Sequence, residues 1–484
     1  MARKKFYITT SIPYVNAAPH IGFALEIIQA DAIARYHRLL GEDVYFLAGT
    51  DENALKNVQA AEKEGITPKQ LVDKYSSRFK ALKDCLNLSF DDFIRTTEKR
   101  HFNGSQKFWK ACQKDIYKKN YKGWYCVGCE EFKTKKDLIN GRCPEHPNKD
   151  LDLIKEENWF FKLSNYQKQL EKLIGKDKLK IVPPERKNEI LQFIKSGLKD
   201  FSISRSFERA KGWGVPVPND KQQIIYVWFD ALINYITALD YANNGKLFKK
   251  FWLENNNILH CIGKGIIRFH AVYWPAMLMS AGLPLPKKEL IHGYVTINGQ
   301  KISKSQGNII DPFKLVKKYG ADAIRYYLLK EIPPTKDGDF SITHFEEVYN
   351  AYLANGLGNL IQRVTTLAEK AELQGFKKQN DLLGQQDVAK LMENFEFHQV
   401  LDYIWKYISG IDKYINKTRP WEKTGIELQK NLSKIIVAEE GFLGILNIAS
   451  LLYPFLPTTA EKIEQIFTAE KIKAPKKALF PRLH

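Results

Sequence analysis

Apolar runs of strand length alternate with helical patterns through the first two thirds of the chain, and then the strands stop. The run KKFYITTSI (4–12) is rich in β-branched and aromatic residues, as a strand should be. Behind it Ile21, Leu25, Ile28, Ala32 and Leu39 recur at helical spacing, Gly41 offers a stop, and VYFLAGT (44–50) begins a second strand. Pro19 and His20 thus fall at a strand-to-helix turn, where free N–H groups of a helix start can meet phosphate. The alternation runs to about residue 115 and resumes with QQIIYVWFDAL, NILHCIGKG and ELIHGYVTI. Between lie a cysteine cluster, a charged helical stretch and the Gly/Pro-rich return KGWGVPVPND. From 344 onward Leu353, Leu357, Leu360, Val364 and Leu367 form a helical stripe, as do Leu401, Ile404, Ile408, Ile411 and Ile415.

The expected architecture is therefore an α/β, Rossmann-like parallel-sheet domain (1–115 and 225–325) interrupted by a connective insertion (116–224). A linker (326–343), an all-α helical bundle (344–470) and a basic tail (471–484) follow, with Leu479–Phe480 expected to dock. Lys and Arg exceed Asp and Glu by 74 − 55 = 19, with a sequence pI near 9.3. That excess favours a polyanionic partner, nucleic acid ahead of an acidic membrane surface, with a basic proteome or plain solubility an equal alternative on charge alone. MARKKFYITTSIPY has no apolar signal core, and no apolar run is long enough to span a bilayer. Of the cysteines, Cys126, Cys129 and Cys143 cluster while Cys85, Cys112 and Cys261 are scattered, which suits a reducing cytoplasm.

Three constellations carry chemistry. CVGC followed by CPEH sets Cys126, Cys129, Cys143 and His146 in C-x2-C…C-x2-H spacing within a knuckle at about 121–155. Three thiolates and one imidazole make a closed tetrahedral zinc site with no open position, so the metal is structural. NGQKISKSQGN (298–308) places Lys301 and Lys304 in a polar loop edged by Gly299 and Gly307, where two ammonium groups can neutralise a triphosphate; a solvated charge run, with Asn298-Gly299 an ordinary hairpin turn, is the alternative. VWFDALINY puts Trp228, Ala231, Leu232 and Tyr235 on one helical face, and GIIRFHAVYW does so for Ile266, His270 and Trp274; a plain core stripe is the alternative. Asp51, in AGTDEN, follows an apolar strand and lies where parallel sheets bind ligands, or caps a helix.

PHIG and KISKS are similar to the two signatures of class I aminoacyl-tRNA synthetases. With SIPYVNAAPHIG, AGTDEN, CVGC…CPEH, DFSISR…WGVPVPND, YVWFDALINY and RFHAVYWPAM they resemble the methionyl-tRNA synthetase family, single-zinc-knuckle type, over essentially the whole chain. The resemblance implies a cytoplasmic ligase that activates L-methionine with ATP and Mg²⁺ and charges tRNA(Met). It implies a methionine pocket of Ile12, Tyr14, Trp228, Ala231, Leu232, Tyr235, Ile266, Phe269, His270 and Trp274, with Asp51 on the substrate ammonium. His20, Gly22, Gly263 and Lys304 would hold ATP, assisted by Lys301, and His20, Lys301 and Lys304 would be catalytic. Asn359, Arg363 and Trp421 would read the CAU anticodon, and one Zn²⁺ would sit on the four knuckle ligands. The family's appended dimerising module is not seen, so a monomer is expected.

Phe23, Gly265 and Asn53 depart from the family pattern, at positions that bear on ATP affinity or rate. The thioether of methionine offers only shape and sulfur–aromatic contact, each about 0.3–1.5 kcal/mol, with a weak donor to sulfur expected from His270. One methylene is worth only about 1–3 kcal/mol, so homocysteine is expected to be rejected by cyclisation. The rival readings are a class I synthetase for another amino acid and a catalytically weakened tRNA-binding relative. Valine, isoleucine and leucine enzymes carry larger editing insertions than 116–224, cysteine enzymes hold zinc at the amino-acid site, and Phe23 and Gly265 motivate the weakened relative.

Overall fold

The computed structural model describes residues 3–129, 131–133, 135–302, 307–377, 386–437 and 443–483. Lys304 and the side chain of Lys301 lie outside the described residues. The chain divides into two compact units: 1–19, 42–81 and 90–292 form the first, and 20–41, 82–89 and 293–484 the second.

The first unit is built on a six-stranded parallel sheet. Its order is Asp92–Arg95, Asp43–Thr50, Lys5–Thr10, Ile258–Gly263, Lys288–His292, Lys180–Val182. Sequence order reverses between Lys5–Thr10 and Ile258–Gly263, and a crevice at the carboxyl ends of such strands is the usual ligand site of an open α/β sheet. The interior strands are buried on both faces, as their near-continuous apolar runs require: Tyr7, Ile8, Phe46, Leu47, Ile258 and Ile262 are all at most 2 % exposed. One edge strand, Lys180–Val182, comes from within 116–224, so that segment also returns a strand to the sheet. The segment also holds the helices Gln167–Gly175 and Pro184–Lys195, a four-stranded sheet, ordered Glu131–Lys133, Ile116–Cys126, Asp152–Phe161, Phe201–Ser202, and the three-stranded Pro216–Val217, Asp220–Ile225, Ser204–Ser206. QQIIYVWFDAL, expected to resume the parallel sheet, instead ends that three-stranded sheet and turns into the helix Val227–Leu232.

The second unit is mostly helical. Helix Ile21–Leu39 buries Glu26, Gln29, Asp31 and Arg35 as well as its apolar residues. Asp31 explains how: it accepts from Arg35 Nε at 2.8 Å, from Arg325 Nη2 at 2.8 Å and from the Ser89 N–H and hydroxyl at 2.6 Å each. Burial opposes the charge of Asp31, yet Arg325, Arg35 and Ser89 together hold its carboxyl below the usual range. Arg325 spends further N–H groups on the carbonyls of Phe455 (2.7 Å) and Pro454 (2.9 Å). Both anticipated stripes are core-facing, on Tyr349–Gly358 and Asn359–Lys370 and on Phe397–Thr418, with Leu367 half-exposed. Phe480 docks as expected, 6 % exposed and edge-on to Tyr349 at 6.0 Å. Among the described residues no helix is long and apolar enough to cross a membrane.

Candidate functional site

Helices Val227–Leu232 and Asn234–Thr237 and the segment Phe269–Ser280 supply the rings, and the loop after Lys5–Thr10 supplies Ile12 and Tyr14. Trp228 lies flat on Phe269, centroids 3.7 Å apart and planes within 4°, and Tyr14 meets Trp228 edge-on at 6.2 Å. Deeper, Tyr235 and Trp274 are 6.1 Å apart and essentially inaccessible. Leu232, Tyr235, Phe269 and Trp274 belong to one apolar cluster, with Ile12, Trp228 and Ile266 half-buried at its margin, and Ala231 is buried. The aromatic positions of the two helical stretches thus meet in one apolar cluster rather than in separate cores.

Two histidines orient these rings. Indole N–H can only donate, so Trp274 Nε1 at 3.3 Å makes His260 Nε2 an acceptor; Nδ1–H then donates to Thr9 Oγ1 at 2.7 Å. Burial first, and the nearby His270 second, push the His260 pKa well down, in keeping with a neutral ring. His270 Nδ1 lies 3.1 Å from the Ile266 carbonyl and so carries the proton; Nε2 accepts the Tyr235 O–H at 2.7 Å. The expected imidazole donor to sulfur is therefore corrected: His270 fixes Tyr235 and has its ring proton committed to Ile266.

Asp51 follows the strand Asp43–Thr50, 2 % exposed, held by its N–H to the Pro13 carbonyl (2.9 Å) in a bridge with Tyr14. Its Oδ1 accepts the Asn53 N–H at 3.2 Å. Asn53 Nδ2 in turn donates to Asp230 Oδ2 at 2.7 Å and to the Thr96 carbonyl at 3.1 Å. Asp230 Oδ1 takes Ser105 at 2.9 Å and His101 Nε2 at 3.0 Å, and His101 Nδ1 meets Thr237 Oγ1 at 2.8 Å. The amide NH₂ of Asn53 is thus spent on this buried network. Sequence reasoning missed His101, Asp230 and His260, which lie far from the motif residues they support.

Gly263 ends the strand Ile258–Gly263 in register with His292, where a Cβ would stand 3.4 Å from the His292 ring. In the second unit His20 caps helix Ile21–Leu39. The Gly22 N–H donates to His20 Nδ1 at 3.1 Å, the Ile21 N–H to the Ile310 carbonyl (3.1 Å) and the Phe23 N–H to the His20 carbonyl (3.0 Å). The expectation of free N–H groups at this helix start is thereby corrected, because the His20 side chain takes one and the carbonyls of Ile310 and His20 take the other two. With Nδ1 accepting, the neutral ring carries its proton on Nε2, and burial lowers its pKa. Gly22 permits this fold-back: a Cβ there would lie 3.0 Å from His20 Cε1.

The ligand atoms of Cys126, Cys129, Cys143 and His146 all lie within 4.8 Å of one another. Cys129 Sγ is 3.4 Å from Cys143 Sγ and 3.4 Å from His146 Nδ1. A tetrahedral zinc with Zn–S of about 2.3 Å spaces its ligands by about 3.5–3.8 Å, so these residues fit the ion. Gly128 lets the imidazole in, since a Cβ there would be 2.3 Å from His146 Cγ. The knuckle also touches the aromatic cluster: Trp228 Nε1 donates to the Cys129 carbonyl at 3.3 Å.

On the helical bundle Arg363 is steadied by Asp412 (3.1 Å) and Asn416 (2.9 Å), its guanidinium 5.9 Å from the Trp421 ring. Trp421 is 44 % exposed, so it is no core filler, and Asn359 is exposed one turn before Arg363 on the helix Asn359–Lys370. An exposed ring beside a fixed guanidinium can stack and hydrogen-bond unpaired bases.

A family model described as tRNA synthetases class I (M) matches residues 6–152 and 147–365. A methionine--tRNA ligase of Brucella melitensis is 43 % identical, over 97 % of this chain and 93 % of that protein. The Thermotoga maritima methionine--tRNA ligase is 42 % identical, over 95 % of this chain and 74 % of its own length. The structure of Mycobacterium tuberculosis methionyl-tRNA synthetase in complex with methionyl-adenylate superimposes with a TM-score of 0.88 at 35 % identity, covering 99 % of this chain and 100 % of that one.

Proposed function

The chain belongs to the methionyl-tRNA synthetase family of class I tRNA synthetases, and on that premise we propose that it joins L-methionine to ATP and passes the methionyl group to the 3′ end of tRNA(Met). In this reading Ile12, Tyr14, Trp228, Ala231, Leu232, Tyr235, Ile266, Phe269, His270 and Trp274 bind the side chain, and Asp51 takes the ammonium. His20, Gly22, Gly263 and Lys304 hold ATP, as its Mg²⁺ complex, with Lys301 assisting. Asn359, Arg363 and Trp421 read the anticodon. The catalytic domain comprises 1–115 and 225–325, the insertion 116–224 and the anticodon domain 344–470, and the protein works as a cytoplasmic monomer.

The methionine carboxylate attacks the α-phosphorus and pyrophosphate departs. The nucleophile is already ionised, so the residues supply alignment and countercharge rather than a base. His20 acts as a neutral donor through Nε2–H, a role its lowered pKa protects, while Lys301 and Lys304 bring positive charge. The tRNA ribose hydroxyl then attacks the adenylate carbonyl, forming the ester as the carbonyl–phosphate bond breaks; AMP leaves and the hydroxyl proton passes to its phosphate or to water. A zinc ion held by Cys126, Cys129, Cys143 and His146 supplies scaffold only, because all its positions are filled by protein.

The observation that carries this reading is the single aromatic cluster of Trp228, Tyr235, Phe269 and Trp274, oriented by His260 and His270, with Tyr14 edge-on to Trp228 and bridged to Asp51. Such a cluster suits a polarizable, uncharged side chain. Charging of tRNA(Met) with radiolabelled methionine tests it: CAU transcripts should be charged at least a hundredfold more efficiently than transcripts with an altered anticodon. Equal charging of both, or none, would overturn the assignment.

A further inference from the structure

A groove of about 600 Å³ in the second unit is walled by Lys462, Lys471, Lys473 and Lys477, with Ile466 and Ala469 among the residues between them. Some cations of this unit are matched by acids, Lys318 by Glu346, Lys330 by Asp402 and Arg363 by Asp412. None of the four groove lysines has such a partner among the described residues. Four uncompensated ammonium groups around one concavity repel each other, an arrangement that an anion relieves.

Their backbone is fastened. Lys471 bridges to Gln374, the Ile472 N–H donates to the Leu373 carbonyl at 3.1 Å, and Ile472 itself is 2 % exposed. The Ala474 N–H donates to Glu369 Oε2 at 3.1 Å, and beyond the groove the Leu483 N–H donates to Asn350 Oδ1 at 2.9 Å. With Ile472 turned inward, Lys471 and Lys473 on either side of it are exposed, their backbones about 6.6 Å apart, the length of two extended residues. Glu369 lies on the same helix as Arg363, six residues on, or about 9 Å along its axis. The helix Asn359–Lys370 thus carries both Arg363 and the carboxylate that anchors the groove's backbone.

We propose that this groove is a second, sequence-independent RNA contact, which takes the sugar-phosphate backbone of the tRNA whose anticodon bases meet Arg363 and Trp421. The proposal rests on the functional reading above and adds a site to it. Phosphate contacts position an RNA without reading its sequence, and each one released adds about 0.7–0.9 to the slope of log affinity against log salt.

The test compares the full-length chain with the variant K462Q/K471Q/K473Q/K477Q. Binding of tRNA(Met) is measured between 50 and about 300 mM salt, a range in which such slopes are read. The variant should bind tRNA at least tenfold more weakly at about 150 mM salt, with the slope reduced by about 3. The matching Lys→Arg variant, which keeps the charges, should restore both. Methionine-dependent ATP–pyrophosphate exchange, which needs no tRNA, reports folding; if the fourfold variant loses it, Lys473→Gln alone is read, with an expected slope change of about 0.8. Identical slopes for variant and parent overturn the groove while leaving the family's reaction in place. So does loss of binding to anionic phospholipid vesicles with tRNA affinity retained, which would assign the patch to a membrane surface. A parent chain that charges no tRNA at all would instead remove the functional reading.

Discussion

Replacing Glu289 by Gln should make the first unit more stable at alkaline pH and leave it nearly unchanged in acid. Glu289 sits in the middle of the strand Lys288–His292, between Ile181 and His260 in register, with no exposed surface. Neither carboxylate oxygen has a hydrogen-bond partner among the described residues. Burial pushes its pKa from the ordinary 4.5 up to about 8. The folded protein therefore holds this proton more tightly than the unfolded chain. Stability linked to Glu289 is fully present below about pH 4.5 and is lost as pH rises toward 8, after which no further loss occurs. At about 1.36 kcal/mol per pH unit the interval of 8 − 4.5 amounts to about 5 kcal/mol as an upper bound. Gln keeps the shape and cannot ionise. Urea unfolding followed by tryptophan fluorescence should give a Glu289→Gln advantage of about 3–5 kcal/mol at pH 8.5 and about 1 kcal/mol or less at pH 5. Parallel stability curves for the two proteins across that range would refute the claim that Glu289 is buried without a countercharge.

Other perturbations follow from the same geometry. Arg325→Met leaves Asp31 buried with one guanidinium partner fewer, and should cost about 3–5 kcal/mol in unfolding of the second unit; a cost under 1 kcal/mol would contradict the buried pair. His20 acts here as a neutral donor whose pKa is lowered by burial, so exchange should show no acid limb from His20 above its ordinary 6.5, and a limb centred higher would mean that the imidazolium is the working form. His20→Ala should slow exchange by about 10²–10³. Gly128→Ala drives a methyl into the His146 ring, so zinc content by atomic spectroscopy should fall below one per chain and methionine KM should rise through the Trp228–Cys129 contact; full zinc content with normal KM would argue against the knuckle geometry. Trp421→Ala removes a stacking platform worth about 1–3 kcal/mol, lowering tRNA charging about 10–100-fold while exchange persists. If both fall together, Trp421 is not an anticodon reader.

What could be read from sequence was whatever is local. The Cys126–Cys129 and Cys143–His146 pairs lie within short loops, and ring stripes such as Trp228–Tyr235 follow helical periodicity, so their juxtaposition needed little more than secondary structure. The stripe on Phe397–Thr418 was legible for the same reason. Long-range pairings were not. Asn53 meets Asp230 across 177 positions and Thr9 meets His260 across 251, and no spacing rule links residues so far apart. The strand Lys180–Val182 is three residues long, too short for a period to show, yet it closes the sheet edge beside Glu289. Helix Ile21–Leu39 looked amphipathic, but its polar residues are buried because Arg325 and Ser89, distant in sequence, complete the charges. The capped start at His20 shows the limit of motif reasoning: the residue was placed correctly, while which N–H groups remain open depends on Ile310 and on the fold-back of the ring itself.

In the proposed function the cluster of Trp228, Tyr235, Phe269 and Trp274 selects methionine for activation by ATP. Amino-acid-dependent ATP–pyrophosphate exchange by the purified chain, run separately with each of the twenty amino acids, tests it most directly. Methionine should support exchange with a kcat/KM at least a hundredfold above isoleucine, leucine and valine. Exchange driven best by another amino acid, or none with methionine, would contradict the account.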